Sequence, residues 1–226
     1  MVGIELDKRS VAESHSWTTS DIAELRRKDT LKAMRPMQTT IPILTSSVDV
    51  ELATGLIHGA AVVDVTRTLA DLGGIFEDES TYESMDPTII VYSVSSVFPV
   101  KAGTEGGLFY GATAIRSGSV GGEYFMTKGH FHSRIDTAEL NWGIKGEGIL
   151  LLMDENRAIR AEKVVPGSLH YIPGRVAHRM VNVGDEVFVF GASWPSDAGE
   201  NYAKIRREGF SARVRRGPDG PMVVEA

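Results

Sequence analysis

Residues 127–132 read Thr-Lys-Gly-His-Phe-His, and six residues separate His132 from Glu139. Side chains alternate along extended backbone, so His130 and His132 face one side while Phe131 faces the other, as a core residue would. Glu139 adds an oxygen donor beyond the polar connection Ser133–Ala138. Two imidazoles and a carboxylate form a facial N/O set suited to a divalent transition metal, with positions left open. The chain contains no cysteine, which excludes thiolate sites and disulfides. A further ligand must come from another strand, and His178 is the candidate: Pro166-Gly167 is a turn, Pro173 opens a loop, and His178 begins the next extended stretch, able to face inward. His15, His58 and His170 have no such partners and read as structural or surface residues. Gly118–Gly122 is not followed by a Lys-Ser/Thr helix, so it reads as a hairpin turn and not a phosphate loop.

These side chains need extended segments to carry them, and from Ile41 onward the chain consists largely of such segments. Candidate strands are 48–52, 56–60, 88–97, 108–115, 124–132, 140–145, 149–153, 158–164, 169–172, 179–183 and 187–193. Turns such as Lys145-Gly146-Glu147-Gly148 and Val183-Gly184-Asp185-Glu186 separate them. There is no βαβ alternation and no repeat, so the pattern predicts an all-β jelly-roll barrel. A few short peripheral helices are expected: over 65–72, over 77–85 (helical or irregular), and within 199–209. A final hairpin is expected over 213–225 around Gly217-Pro218-Asp219-Gly220. Residues 1–40 read as a partly helical N-terminal extension, with an N-cap at Ser20-Asp21, a stripe of Ile22, Leu25, Leu31 and Met34, and a stop at Arg35-Pro36. The barrel domain spans 41–215, and 216–226 forms a C-terminal tail.

The 226 residues carry a formal net charge of −6, which argues against electrostatic binding of nucleic acid. Met1–Ser10 is charged and is not a signal peptide. Gly148–Met153 is strand-length and too short to span a bilayer. A cytoplasmic protein without membrane or nucleic-acid partners is expected.

Gly146 follows Glu139 after six residues, and Gly167, Pro173, His178 and Asn182 are separated by five, four and three. Together with His130-x-His132 these spacings resemble the two motifs of the cupin superfamily, with a longer gap before the glutamate. That gap and the Thr127-Lys128-Gly129 prefix are similar to the cupin-type glucose-6-phosphate isomerases of archaea and some bacteria. Asp86-Pro87, Val91-Tyr92, Gly122-Glu123, Trp194–Tyr202 and Glu208–Ser211 match the same family in order, covering about residues 48–215. The resemblance implies a cupin barrel and reversible conversion of glucose 6-phosphate to fructose 6-phosphate, in glycolysis and gluconeogenesis. It implies one divalent metal per chain held by His130, His132, Glu139 and His178. Iron(II) is favoured, while manganese(II), nickel(II), cobalt(II) and zinc(II) also suit the donors. Glu139 would be the catalytic base, the alternative being a hydride shift between the two carbons. Tyr92, Thr113, Thr127, the Gly129 N–H and Tyr202 would contact the substrate and its phosphate, while Lys128 should face outward. Asn141, Trp194 and Glu200 depart from residues common in the family and bear on substrate contacts. A non-enzymatic sugar-phosphate-binding cupin, a mannose-phosphate isomerase or an iron(II) oxygenase would share much of this pattern. Family members also suggest a homodimer.

Overall fold

The computed structural model describes Ser20 and residues 43–226. The helix expected near residues 20–35 lies outside the described residues, apart from Ser20 itself. A small hairpin of β1 (Val48–Val50) and β2 (Ile57–Gly59) leads into β3 (Val62–Thr68), β4 (Ile90–Val97) and β5 (Leu108–Ile115). Three short strands follow: β6 (Ser119–Val120), β7 (Glu123–Tyr124) and β8 (Phe131–His132). Next come β9 (Glu139–Lys145), β10 (Gly148–Met153), β11 (Ile159–Val164), β12 (Leu169–Ile172), β13 (Ala177–Asn182) and β14 (Phe188–Pro195). The chain ends with β15 (Glu200–Asn201), β16 (Ala212–Gly217) and β17 (Gly220–Glu225). Helix α1 (Glu79–Ser84) interrupts β3 and β4, and α2 (Ala203–Glu208) precedes the last hairpin. Among the described residues, no helix is long and apolar enough to cross a membrane.

The main wall is a six-stranded antiparallel sheet in the order β12-β9-β14-β5-β4-β3, and a three-stranded sheet β11-β10-β13 stands apart from it. Both sheets contribute to one core: Ile115, Phe188 and Phe190 from the first join Leu150, Leu152 and Met180 from the second. Each such fully buried side chain contributes about 1.5–3 kcal/mol by leaving water. Asn182 ties the walls together, its amide donating to the carbonyls of Ile115 and Glu186 at 2.9 and 2.8 Å. This is the jelly-roll barrel that the strand spacing predicts, one all-β architecture with short helices at its edge.

Two local expectations fail. Residues 65–72 do not form a helix: Val62–Thr68 is an edge strand paired with β4, and only Leu69–Leu72 coils, as one 3₁₀ turn. β-branched Val62, Val63, Val65, Thr66 and Thr68 favour the pleated surface, and the available edge of β4 decides the matter. Residues 124–132 are not one strand either. Gly129 has φ +73°, in the left-handed region, and it breaks the segment between β7 and β8. A Cβ at Gly129 would come within 2.6 Å of the Phe210 ring and 3.0 Å of the Arg179 Cβ, so the close approach also needs glycine.

Candidate active site

Past Gly129 the chain runs antiparallel to β13, so that His130 lies directly opposite His178. Each residue's N–H donates to the other's carbonyl, at 3.3 and 3.1 Å. The two imidazole centroids are 4.5 Å apart, and those of His132 and His178 are 5.2 Å apart. One ring nitrogen from each of His130, His132 and His178 falls within 4.8 Å of the others. Glu139 enters from the opposite wall as the first residue of β9. Its Oε2 lies 3.2 Å from Nε2 of His132 and 3.7 Å from Nε2 of His178.

The long connection between His132 and Glu139 has a visible use. It turns back through a Thr137 N–H to Arg134 carbonyl bond and presents the Thr137 carbonyl to Nδ1 of His132 at 2.9 Å. Arg134 is itself paired with Asp197, which fastens the connection to the segment after β14. With the His132 Nδ1–H given to Thr137, a neutral ring presents the Nε2 lone pair to the Glu139 carboxylate. Two acceptors in contact call for a proton or a cation between them. His178 Nδ1 faces the Val176 carbonyl at 3.5 Å, which again leaves Nε2 for the centre. Asn141, 1% exposed, stands two residues further along β9 on the same face, and its amide nitrogen donates to Oε1 of Glu139 at 2.8 Å.

Charge at the site follows from burial and neighbours. Burial, and then His132, push His130 down to about 3. Burial also pushes His178 down to about 3, against the opposing pull of Glu139. For His132 burial acts downward, but the hydrogen bonds to Glu139 and the Thr137 carbonyl outweigh it and raise the ring above the usual histidine value. Two rings are therefore held as neutral lone-pair donors, the form a metal requires. Three neutral-capable imidazoles, a carboxylate oxygen beside two of them, and Nδ1 acceptors outside fit a divalent transition metal.

Beside the cluster lies a cavity of about 450 Å³, bordered by β3, the 3₁₀ turn after it, the bend at Lys128-Gly129, and the chain from Glu200 to Arg213. Tyr202 lines it and reaches the histidine cluster, its ring centroid 5.3 Å from that of His130. The Tyr202 hydroxyl donates to Oε2 of Glu200 at 2.6 Å, and burial together with that bond raises the phenol well above its usual range. Lys128 does not project into open solvent as expected: it is half-buried and lines the cavity. Burial, and then Arg67, push its ammonium down, with Asp71 opposing.

The candidate substrate residues fall into groups. Gly129 and Tyr202 border the cavity. Tyr92 is buried on β4, its phenol raised by burial and bonded to the Lys128 N–H. The Thr127 hydroxyl accepts from the Met180 N–H at 3.1 Å. Thr113 is buried on β5 opposite Phe190 and Val94 and does not border the cavity. The three departures also separate. Asn141 touches Glu139, Glu200 touches Tyr202, and Trp194 packs edge-on against Phe109. His170 is a structural clip, bonded to Glu162 at 2.7 Å and Ser168 at 2.9 Å. Arg67, Asp71 and Arg206 border the cavity without any motif that would single them out in the sequence.

The sequence profile described as glucose-6-phosphate isomerase (GPI) matches residues 66–218, more than half of the chain. The glucose-6-phosphate isomerase of Thermococcus kodakarensis is 41% identical over 169 residues, covering 74% of this chain and 86% of that protein. This chain belongs to the archaeal-type, cupin glucose-6-phosphate isomerase family. The Pyrococcus furiosus family member is 40% identical over 171 residues, covering 74% of this chain and 87% of its own. A putative glucose-6-phosphate isomerase 2 of Rhizobium meliloti is 37% identical over 163 residues, with 71% and 80% covered. Among solved structures, Bacillus subtilis oxalate decarboxylase aligns over 48% of this chain at 19% identity and a TM-score of 0.38. That alignment spans 26% of the decarboxylase and carries no inference about this isomerase-family chain.

Proposed function

We propose that this protein is a metal-dependent aldose–ketose isomerase that interconverts glucose 6-phosphate and fructose 6-phosphate in glycolysis and gluconeogenesis. The observation that carries the reading is the convergence of His130, His132 and His178 with Glu139, in a chain of this family. These residues would hold one divalent cation, iron(II) by preference, which when bound supplies a Lewis acid for the oxygens of the open-chain sugar.

The rest of the chemistry belongs to the chain. Glu139 is the proton carrier between C1 and C2: its Oε1 stays on the Asn141 amide, and its Oε2 serves as the base once sugar binding frees it from the histidine cluster. Thr137 and Val176 orient the His132 and His178 rings through their Nδ1 atoms. Tyr202 and Gly129 border the path from the cavity, and the barrel core behind the histidines excludes water. Tyr92, Thr113 and Thr127 are carried as substrate and phosphate contacts by family resemblance. Isomerisation in water fits a cytoplasmic enzyme, and exposed Val63 and Val65 on edge strand β3 suit a homodimer contact; sedimentation would read its mass.

The test is a coupled assay on fructose 6-phosphate after stripping the metal and reloading iron(II), manganese(II), nickel(II), cobalt(II) or zinc(II) in turn. Turnover is expected with at least one of them, and none with any would sink the isomerase reading. Deuterium from solvent should enter C2 of the product glucose 6-phosphate; its strict absence would count against proton transfer by Glu139 and favour a hydride shift.

A further inference from the structure

Among the described residues, two that are not glycine hold a left-handed backbone, and one of them, Arg175 at φ +65°, lies three residues before His178. That conformation crowds Cβ against the following carbonyl oxygen, and a residue with a side chain keeps it where its neighbours fix it. Here they do. The Arg175 N–H donates to the Ile135 carbonyl at 2.6 Å, its Nε donates to Oδ1 of Asp136 at 2.7 Å, and its Nη1 donates to Oε2 of Glu155 at 3.2 Å. Gly174 closes the same junction. A Cβ there would stand 2.5 Å from the carbonyl carbon of Asp136, so the two loops meet backbone to backbone.

Each of the joined segments leads to the histidine cluster. Asp136 is followed by Thr137, whose carbonyl faces Nδ1 of His132 at 2.9 Å, and Glu139 comes two residues later. Arg175 is followed by Val176, whose carbonyl faces Nδ1 of His178 at 3.5 Å. Glu155 lies just past β10, the strand that sets Leu152 opposite His178.

We propose that Arg175 is a positioning residue: it braces the connection carrying Glu139 against the turn carrying His178, and so fixes the two carbonyls that orient the His132 and His178 rings. The inference rests on the reading of the cluster as the metal centre of an isomerase, and deepens it with a residue that touches neither metal nor sugar. The Arg175 and Asp136 side chains are 56% and 70% exposed, so their ion pair adds little to overall stability. Its use lies in direction. A guanidinium is a rigid planar fork that reaches two carboxylates on separate loops at once, whereas an ammonium on a flexible stem is a point charge without that geometry. The partners behind metal-binding imidazoles set ring orientation and basicity, so a shift of either carbonyl is felt at Nε2. Arg134, paired with Asp197, fastens the other side of the same connection.

The test separates position from stability. R175G removes the fork and relaxes the left-handed backbone, so the metal-free variant should melt within a few degrees of the parent. The ring nitrogen NMR shifts of His132 and His178 in the metal-free protein should move. Cobalt(II) should bind about tenfold more weakly, the lower end for losing a group behind a metal ligand, and with altered absorption bands. With fructose 6-phosphate, kcat should fall by a similar factor while KM stays near the parent value. D136N should reproduce these changes, and adding it to R175G should cause little further loss, because the two act through one bond. R175K, which keeps the charge without the fork, should recover only part of the affinity. Unchanged histidine shifts and cobalt(II) affinity in both R175G and D136N would overturn the brace. A lowered metal-free melting temperature with unaltered cobalt(II) bands would reduce Arg175 to a structural tie and overturn it as well. If the histidine shifts and cobalt(II) binding respond as expected but no metal gives the parent protein turnover, the isomerase reading fails alone and the brace stands.

Discussion

Glu139 has both carboxylate oxygens engaged before substrate arrives, Oε2 with His132 and Oε1 with Asn141. Such a carboxylate is held in one orientation, its Oε1 anchored by Asn141. Replacing it by leucine removes the donor at similar volume. N141L is expected to lower kcat about 10–100-fold, the usual effect of losing a group that orients a metal ligand. Cobalt(II) absorption would show whether Glu139 has changed its mode of contact. A second prediction concerns protons. His130 and His178 are held near 3, far below the ordinary histidine value of about 6.5, so their contribution to stability is complete above pH 6.5. It is lost as pH falls from about 6.5 toward 3. His132, raised, has the opposite sign and contributes below its usual value. Melting of the metal-free protein across pH 3–8 should show net loss on the acid side, and H178Q should flatten the profile. The histidines and Glu139 were legible in the sequence because their spacing carries them. The partner of Asn141 was not, since a buried amide has no spacing signature of its own.

At the scale of elements, the bend at Gly129 does what a continuous strand could not. It breaks the segment between β7 and β8, turns Lys128 toward the cavity, and delivers His130 opposite His178. G129A should cost about 1–2 kcal/mol from the left-handed backbone alone. The contact with Phe210 adds to that, and metal affinity should fall because His130 moves with the bend. Denaturation and a metal titration of the same variant would check both. Most of the strands were legible from alternation and turn residues, and so was the hairpin built on Gly217 and Gly220. Residues 65–72 were not, because their local pattern suits either helix or strand and the edge of β4 supplies the deciding hydrogen bonds. The short length of β8 escaped for a related reason: its strand partner among the described residues is β15, nearly seventy residues later in the chain.

For the molecule as a whole, the last hairpin is fastened to the barrel by a buried charge pair. Glu123 is 1% exposed; burial raises its carboxyl, against the pull of Arg213, which bonds both its oxygens at 3.0 Å. R213M leaves that carboxylate without its partner and should cost about 3 kcal/mol, the lower end for breaking a buried pair. R213M combined with E123Q should cost less than R213M alone, and urea denaturation would measure both. Removing the metal from the loaded protein should lower Tm by roughly 5–10 °C when free metal had stood a hundredfold above Kd. The amino-acid sequence by itself determined the candidate metal donors, the all-β class and the family, because each depends on residue type at fixed separation. Tertiary structure alone decided which side chains meet. Asn141 on Glu139, Thr137 behind His132, and Arg67 with Lys128 and Arg206 around one cavity join residues on different elements. Contacts of that kind depend on how sheets and loops close in space, and no periodicity along the chain records them.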